Sequence, residues 1–295
     1  MPDFFYGGQA LIEGVMMRGR TTVAMSVRTP DGEIRTSREP LPAALVAGRW
    51  LRIPFLRGVL VLYETLVLGT RMLMRSAAIA AEGEEFEIGR GTLAITMVAS
   101  IGFAIGLFFV LPLVLSGAAA GASGSDLVAN LAEGVIRLAV FIGYLLLIGL
   151  MADVRRVFGY HGAEHKAISA LEAEEPLTPE AIDRFGTAHT RCGTTFLLIV
   201  VALSVVLFTF IPRAGMPIYL LALSRIALVP VLAGISYELL RFGARHFGNR
   251  FVRAVFTPGL WLQRLTTRQP EYEMLEVSIA SLRAVVDADA LPTRP

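Results

Sequence analysis

Long apolar runs broken by short polar intervals dominate residues 91–240. No charged side chain occurs from 91 to 125, and Thr92 to Val114 alone would cross a hydrocarbon core of about 30 Å at about 1.5 Å per residue. A second run extends from about Gly134 to Ala152, with Arg137 near its start. A third, Thr194 to Ile211, is uncharged and stops at Pro212. A fourth, about Met216 to Leu239, carries Arg225 inside it. The pattern predicts four membrane-spanning helices. An arginine at the bilayer centre costs roughly 2.5–3.5 kcal/mol on insertion scales. The cheaper arrangement therefore lays residues 214–224 at the outer interface, lets Arg225 snorkel, and completes the span with Ile226 to Leu240, kinked at Pro230.

The flanking regions follow other periods. Thr22 to Arg28 alternates Val23, Met25 and Val27 with small or polar partners, Thr29-Pro30-Asp31-Gly32 is a turn, and Glu33 to Arg38 can return as a second strand. Upstream, Gly7, Gly8, Gly14 and Gly19 read as a loop around Gln9, Glu13 and Arg18; no GK[ST] follows, so it is not a phosphate loop. In residues 56–80, Arg57, Glu64, Arg71 and Arg75 share one face of an otherwise apolar helix. Such a helix is expected at the membrane interface, or against the bundle with its stripe on a polar cavity. Glu82, Glu84, Glu85 and Glu87 form an acidic link to the first span. Pro270 to Val286 predicts a packed helix, with Asp287 to Pro295 as a frayed tail. The fold class is thus mainly α. A four-helix polytopic membrane domain (91–240) lies between an N-terminal region with a small β-hairpin (1–90) and a helical C-terminal region (241–295).

Composition agrees: 54% of the 295 residues are hydrophobic, 18% are charged, and mean hydropathy is +0.60. A net charge of +2 gives no reason to expect nucleic acid. One cysteine, Cys192, excludes an intrachain disulfide. The first 20 residues lack a basic segment followed by an apolar one, so no cleavable signal peptide is expected. Basic residues crowd 153–193 (Arg155, Arg156, Lys166, Arg184, Arg191) and the tail after 240, whereas 116–133 has none. The positive-inside rule then places both termini and the 153–193 loop in the cytoplasm.

That loop carries the candidate chemistry. His161-Gly162-Ala163-Glu164-His165 reads H-x-x-E-H, the residue order of inverted zinc hydrolases. On a helix, residues three and four apart are neighbours, so both imidazoles can reach one ion, and Glu164 shares their face as general base. Only four histidines exist, and a third, His189, is in the same interval. A catalytic zinc usually takes three protein ligands, and His189 is the first choice for the third. Cys192 is either a fourth ligand or a buried thiol at a helix start, the thiol being the simpler reading. Arg191 could hold an anionic group or simply anchor the loop. Glu238, at the cytoplasmic end of the fourth span, could complete the ligand set or pair with Arg241, pairing being the simpler reading. Glu13 is a reserve carboxylate near the site.

Tyr6-Gly7-Gly8-Gln9-Ala10, Glu13-Gly14-Val15-Met16-Met17-Arg18, His161 to Lys166, His189 with Arg191-Cys192-Gly193-Thr194, and Tyr237-Glu238 together resemble the YqhQ family. This is a bacterial membrane-protein family of unknown function, also found in plastids. The resemblance covers almost the whole chain. It implies a metal-dependent enzyme and draws Gln9, Glu13 and Arg18 toward the site, but gives no substrate.

The expected protein is a membrane protein with a divalent metal site, zinc first, on its cytoplasmic face. His161, His165, His189 and Glu238 are the ligand candidates, and a hydrolase would act on a membrane-associated substrate. The alternative is a non-catalytic scaffold or assembly factor. Expected partners are the lipid bilayer and another membrane protein or a second copy of the chain.

Overall fold

The computed structural model describes residues 6–42, 49–82, 90–123, 125–213 and 215–290. Glu84, Glu85 and Glu87 of the expected acidic link, and residues 291–295 of the expected tail, lie outside them.

The chain is mainly helical, with one antiparallel sheet at its start. Strands β1 (Gly7–Leu11), β2 (Gly14–Arg18), β3 (Thr22–Arg28) and β4 (Ile34–Pro40) pair in sequence order. The expected hairpin is present as β3–β4, with Arg28 opposite Ile34. The glycine-rich stretch, however, is a second hairpin and not a loop. Leu11 pairs with Gly14 across a tight turn in which Glu13 adopts φ 50°. Glycine lowers strand propensity, but here it permits close approach: a Cβ on Gly14 would sit 2.5 Å from the Ser26 carbonyl oxygen.

Alternation gives the sheet two buried faces. Leu11, Met16, Val23 and Met25 pack against Leu68 and Met72 of α1 (Leu56–Ala80). Val15, Met17 and Ala24 pack on the other side. There they meet Ala163, Ala167 and Ile168 of α5 (Ala152–Glu172) and Leu275, Ile279 and Leu282 of α11 (Tyr272–Ala290). The beginning, middle and end of the chain thus share one core. The predicted frayed tail is helical as far as Ala290, and Asp289 accepts the Arg20 backbone N–H at 2.8 Å.

Every member of the charged stripe on α1 has a protein partner. Arg57 pairs with Glu238, Glu64 with Arg18, and Arg71 and Arg75 with Glu39. The stripe faces the sheet and the bundle, while Tyr63, Leu66 and Val67 are exposed.

The bundle begins with α2 (Arg90–Ile105), which continues through a π turn (Gly106–Val110) into α3 (Leu111–Ser123). Next come α4 (Asp126–Ile148), α5, the short α6 (Pro179–Ile182) and α7 (Gly193–Phe208). Helices α8 (Ile218–Ala227), α9 (Val229–Arg245) and α10 (Arg250–Gln263) complete it. Among the described residues three helical stretches are long and apolar enough to span a membrane: Ala94–Gly117, Asp126–Ile148 and Ile218–Arg245. This is a membrane protein, but the expected count of four is not matched. Helix α7 has only 16 residues, about 24 Å, because the chain turns after Phe208 ahead of Pro212.

Candidate metal centre

Helix α5 presents His161, Glu164 and His165 on one side, with Ile168 beside them, while Ala163, Ala167 and Ala170 anchor the other in the shared core. Gly162 lets two segments come close. A Cβ there would lie 2.0 Å from the Arg268 carbonyl oxygen and 3.3 Å from Thr187 Cγ2. Those segments supply what orients the imidazoles. His161 Nδ1 is 2.8 Å from the Thr266 carbonyl oxygen, and His165 Nδ1 is 2.6 Å from that of Thr187. A carbonyl only accepts, so each Nδ1 carries a proton, and in the neutral ring the lone pair then lies on Nε2. Imidazoles that bind metals are commonly held in this way.

Cys192 completes the group. It caps α7, with Thr194 N–H directed at Sγ from 3.4 Å, and Sγ lies 3.4 Å from His161 Nε2. Ligand atoms of His161, His165 and Cys192 all fall within 4.8 Å of one another. A tetrahedral zinc with nitrogen and sulfur ligands spaces them by about 3.6 Å, so small side-chain rotations would suffice. Glu164 is 5% exposed, and its Oε2 lies 3.6 Å from His165 Nε2 and 4.0 Å from His161 Nε2. Among the described residues no hydrogen bond to Glu164 is found. Two lone-pair nitrogens, a sulfur and a buried carboxylate therefore face each other around a cavity of about 90 Å³. That is room for an ion and a few light atoms. The donors fit a divalent cation, and their imidazole and thiol character favours zinc over magnesium or calcium.

His189 lines the same cavity, its ring 5.6 Å from that of His165, but both its nitrogens are engaged. Nε2 is 3.3 Å from Glu172 Oε2, and Nδ1 accepts the Arg191 backbone N–H at 3.4 Å. Burial pushes its pKa below the usual histidine value, with Glu164 pulling weakly the other way. The sequence ranked His189 ahead of Cys192 as a candidate third ligand; the structure brings the Cys192 sulfur to both imidazoles and sets His189 at the cavity wall. Arg191, drawn down to about 10 by burial, pairs with Glu172 at the cavity wall. Glu238 does not line the cavity; it pairs with Arg57 and accepts the Phe55 N–H at 3.2 Å. Glu13 pairs with Arg156 at 2.6 Å and accepts from the Tyr160 hydroxyl at 3.2 Å, so it braces the first turns of α5 from outside. Arg18 and Gln9 both face α1, Arg18 at Glu64 and Gln9 against Gly69.

Several supporting residues have roles that the sequence analysis did not assign. Gly8 is one: a Cβ there would lie 2.7 Å from Glu164 Cγ, so only glycine lets β1 form a wall of the cavity. Lys166 is another. Its side chain is 2% exposed, and Nζ donates to the Asp183 and Phe185 carbonyl oxygens at 2.6 and 2.7 Å and to Asp183 Oδ1 at 3.0 Å. It thereby clamps the loop that delivers Thr187 and Cys192. Gln263, fully buried, exchanges hydrogen bonds of 2.8 Å with the His189 backbone.

The family described as "Protein of unknown function (DUF1385)" matches residues 53–288, which includes the whole centre except the β1 wall. The "Uncharacterized protein YqhQ" of Bacillus subtilis (strain 168) is 31% identical over 299 aligned residues, covering 97% of this chain and 93% of that protein. No solved structure matches.

Proposed function

The chain belongs to the YqhQ (DUF1385) family, and from that premise we propose that it is a metal-dependent hydrolase of the bacterial inner membrane. His161, His165 and Cys192 hold a divalent ion, zinc by donor type. Glu164 handles the proton, and the substrate is membrane-associated. One observation carries the reading: both imidazoles spend their Nδ1 protons on backbone carbonyls, so two Nε2 lone pairs meet Cys192 Sγ and the buried Glu164 carboxylate. Acceptors gathered in this way, with only the weak Cys192–His161 contact between them, favour a cation at their centre. Such an ion, when bound, would supply Lewis acidity toward a carbonyl or phosphoryl oxygen. Glu164 is within reach of that space and would accept the proton of attacking water and return it to the leaving group. His189, hydrogen-bonded to Glu172 behind it, lines the cavity together with Gly7 and Gly8.

The proposed topology has both termini and the centre in the cytoplasm, following the arginine-rich 153–193 loop and tail. A fourth crossing by α7 and its apolar continuation to Ile211 satisfies that parity.

A second reading rests on Cys192 itself. A thiol at a helix start, 3.4 Å from an imidazole nitrogen, is also the arrangement of a cysteine nucleophile and its base. Metal content separates the two. Purified wild type should carry one divalent ion per chain, and His161→Ala with His165→Ala should carry none. Bound metal should also protect Cys192 from alkylation. Equal, near-zero metal in both proteins would leave the thiol reading in possession of the site. Glu164→Gln should retain the ion and lose function. If it fully complements a deletion strain, the protein is a scaffold with a structural ion.

A further inference from the structure

At the ends of α4 and α7 remote from the histidines, three arginines converge on one carboxylate. Glu133 is fully buried and meets Arg137 at 2.5 Å, Arg213 at 3.0 Å and Arg225 at 3.2 Å. Arg225 is 0% exposed, and the Arg137 and Arg213 side chains are nearly so. The Phe208 ring lies 4.8 Å from the Arg137 guanidinium and 4.7 Å from that of Arg225. The π turn in the first span presents a further acceptor, the Phe108 carbonyl, to Arg137 Nε at 3.0 Å. Such turns often accompany functional sites.

The hydrogen bonds of this cluster are satisfied, but its charge is not. Asp126 contributes a second carboxylate at the edge, accepting the Arg213 backbone N–H at 2.9 Å. Even with Asp126 included, three guanidiniums stand against two carboxylates among the described residues. Arginine cannot shed its proton to relieve the excess. A clamp that served only to hold helices together would gain nothing from surplus like charge in apolar surroundings. Ionisable groups inside membrane spans more often mark a ligand site. Guanidinium forks match oxyanions with two parallel hydrogen bonds, which a spherical halide cannot accept.

We propose that Arg137, Arg213 and Arg225 form an anion site for a phosphate group. The proposal is independent of the metal centre. Arg213 is the point of entry, because it lies in the connector between α7 and α8 and not within a helix. Glu133 is the internal counter-ion, which keeps the guanidiniums together and competes with the ligand for them. The phosphate belongs either to an anionic phospholipid headgroup or to the free ion.

The test uses the full-length protein in detergent. Thermal unfolding is followed against inorganic phosphate and against chloride at equal ionic strength. Native mass spectra are recorded in parallel after exchange into phosphatidylglycerol. A phosphate-specific rise in the unfolding midpoint identifies the free ion, and retained phosphatidylglycerol identifies the lipid. Either response should weaken on the order of tenfold in Arg213→Gln, which loses a charged hydrogen-bonding fork. Arg213→Lys, which keeps the charge without the fork, should fall between. Glu133→Gln should bind the responding ligand more tightly than wild type. The site is refuted if wild type shows no phosphate-specific shift and retains no more phosphatidylglycerol than Arg213→Gln. It is equally refuted if Glu133→Gln unfolds and neither ligand restores it, which would mark the cluster as a structural ion-pair knot.

Discussion

His161 and His165 are oriented by atoms outside their own motif. The Thr266 and Thr187 carbonyls take the Nδ1 protons, and the opposite nitrogens are thereby left as acceptors beside Cys192 and Glu164. The spacing of His161, Glu164 and His165 was legible in the sequence, since helical geometry alone puts them on one face. The choice between Cys192 and His189 was not. It depends on how residues 183–192 fold, and that folding spends both His189 nitrogens on Glu172 and a backbone amide. Glu13 offers a test at this scale. The hydrogen bond from Arg156, opposed in part by burial, holds its carboxyl below the ordinary value of 4.5. A depressed folded-state value stabilises the protein above pH 4.5, and that contribution fades as pH falls through the lowered value. Thermal melts of wild type and Glu13→Gln should therefore differ at pH 7 and converge as pH drops below 4.5. A gap that widens on acidification would contradict the pairing.

Among the elements, the sheet was half legible. Alternation and the Thr29 to Gly32 turn reveal β3–β4, whereas the glycines of β1–β2 look like loop until their neighbours are known. Gly8 makes room for Glu164 and Gly14 for the Ser26 carbonyl, and neither contact is local in sequence. The charged stripe of α1 was legible as one helical face, but its partners Arg18, Glu39 and Glu238 come from elsewhere in the fold. The loop before α7 is held to α5 by the only lysine in the chain. Lys166→Met keeps the stem and removes three partly buried hydrogen bonds, leaving the Asp183 and Phe185 carbonyls without the Nζ donor. The expected cost is about 2–3 kcal/mol in denaturant unfolding. Metal affinity should fall about 10–100-fold, as when a ligand loses its supporting partner. Unchanged affinity in a destabilised variant would show that the loop does not position Cys192.

For the molecule as a whole, hydropathy identified a membrane protein but overcounted its long helices, because the uncharged run from Thr194 to Ile211 outlasts the helix within it. It also gave no sign that α11 closes on the sheet, joining the two ends of the chain around α5. Orientation can be read from one exposed position in the histidine loop. In a Cys192→Ser background, Arg184→Cys should react with a thiol reagent in intact cells only when that reagent crosses the membrane. Reaction with an impermeant reagent would reverse the proposed topology. The proposed metal centre is tested most directly by X-ray absorption at the zinc edge on the purified protein. The account predicts stoichiometric zinc with one sulfur at about 2.3 Å and nitrogen or oxygen ligands at about 2.0–2.1 Å, the sulfur contribution vanishing in Cys192→Ser. Sub-stoichiometric zinc, or a coordination shell without sulfur in the wild type, would contradict it.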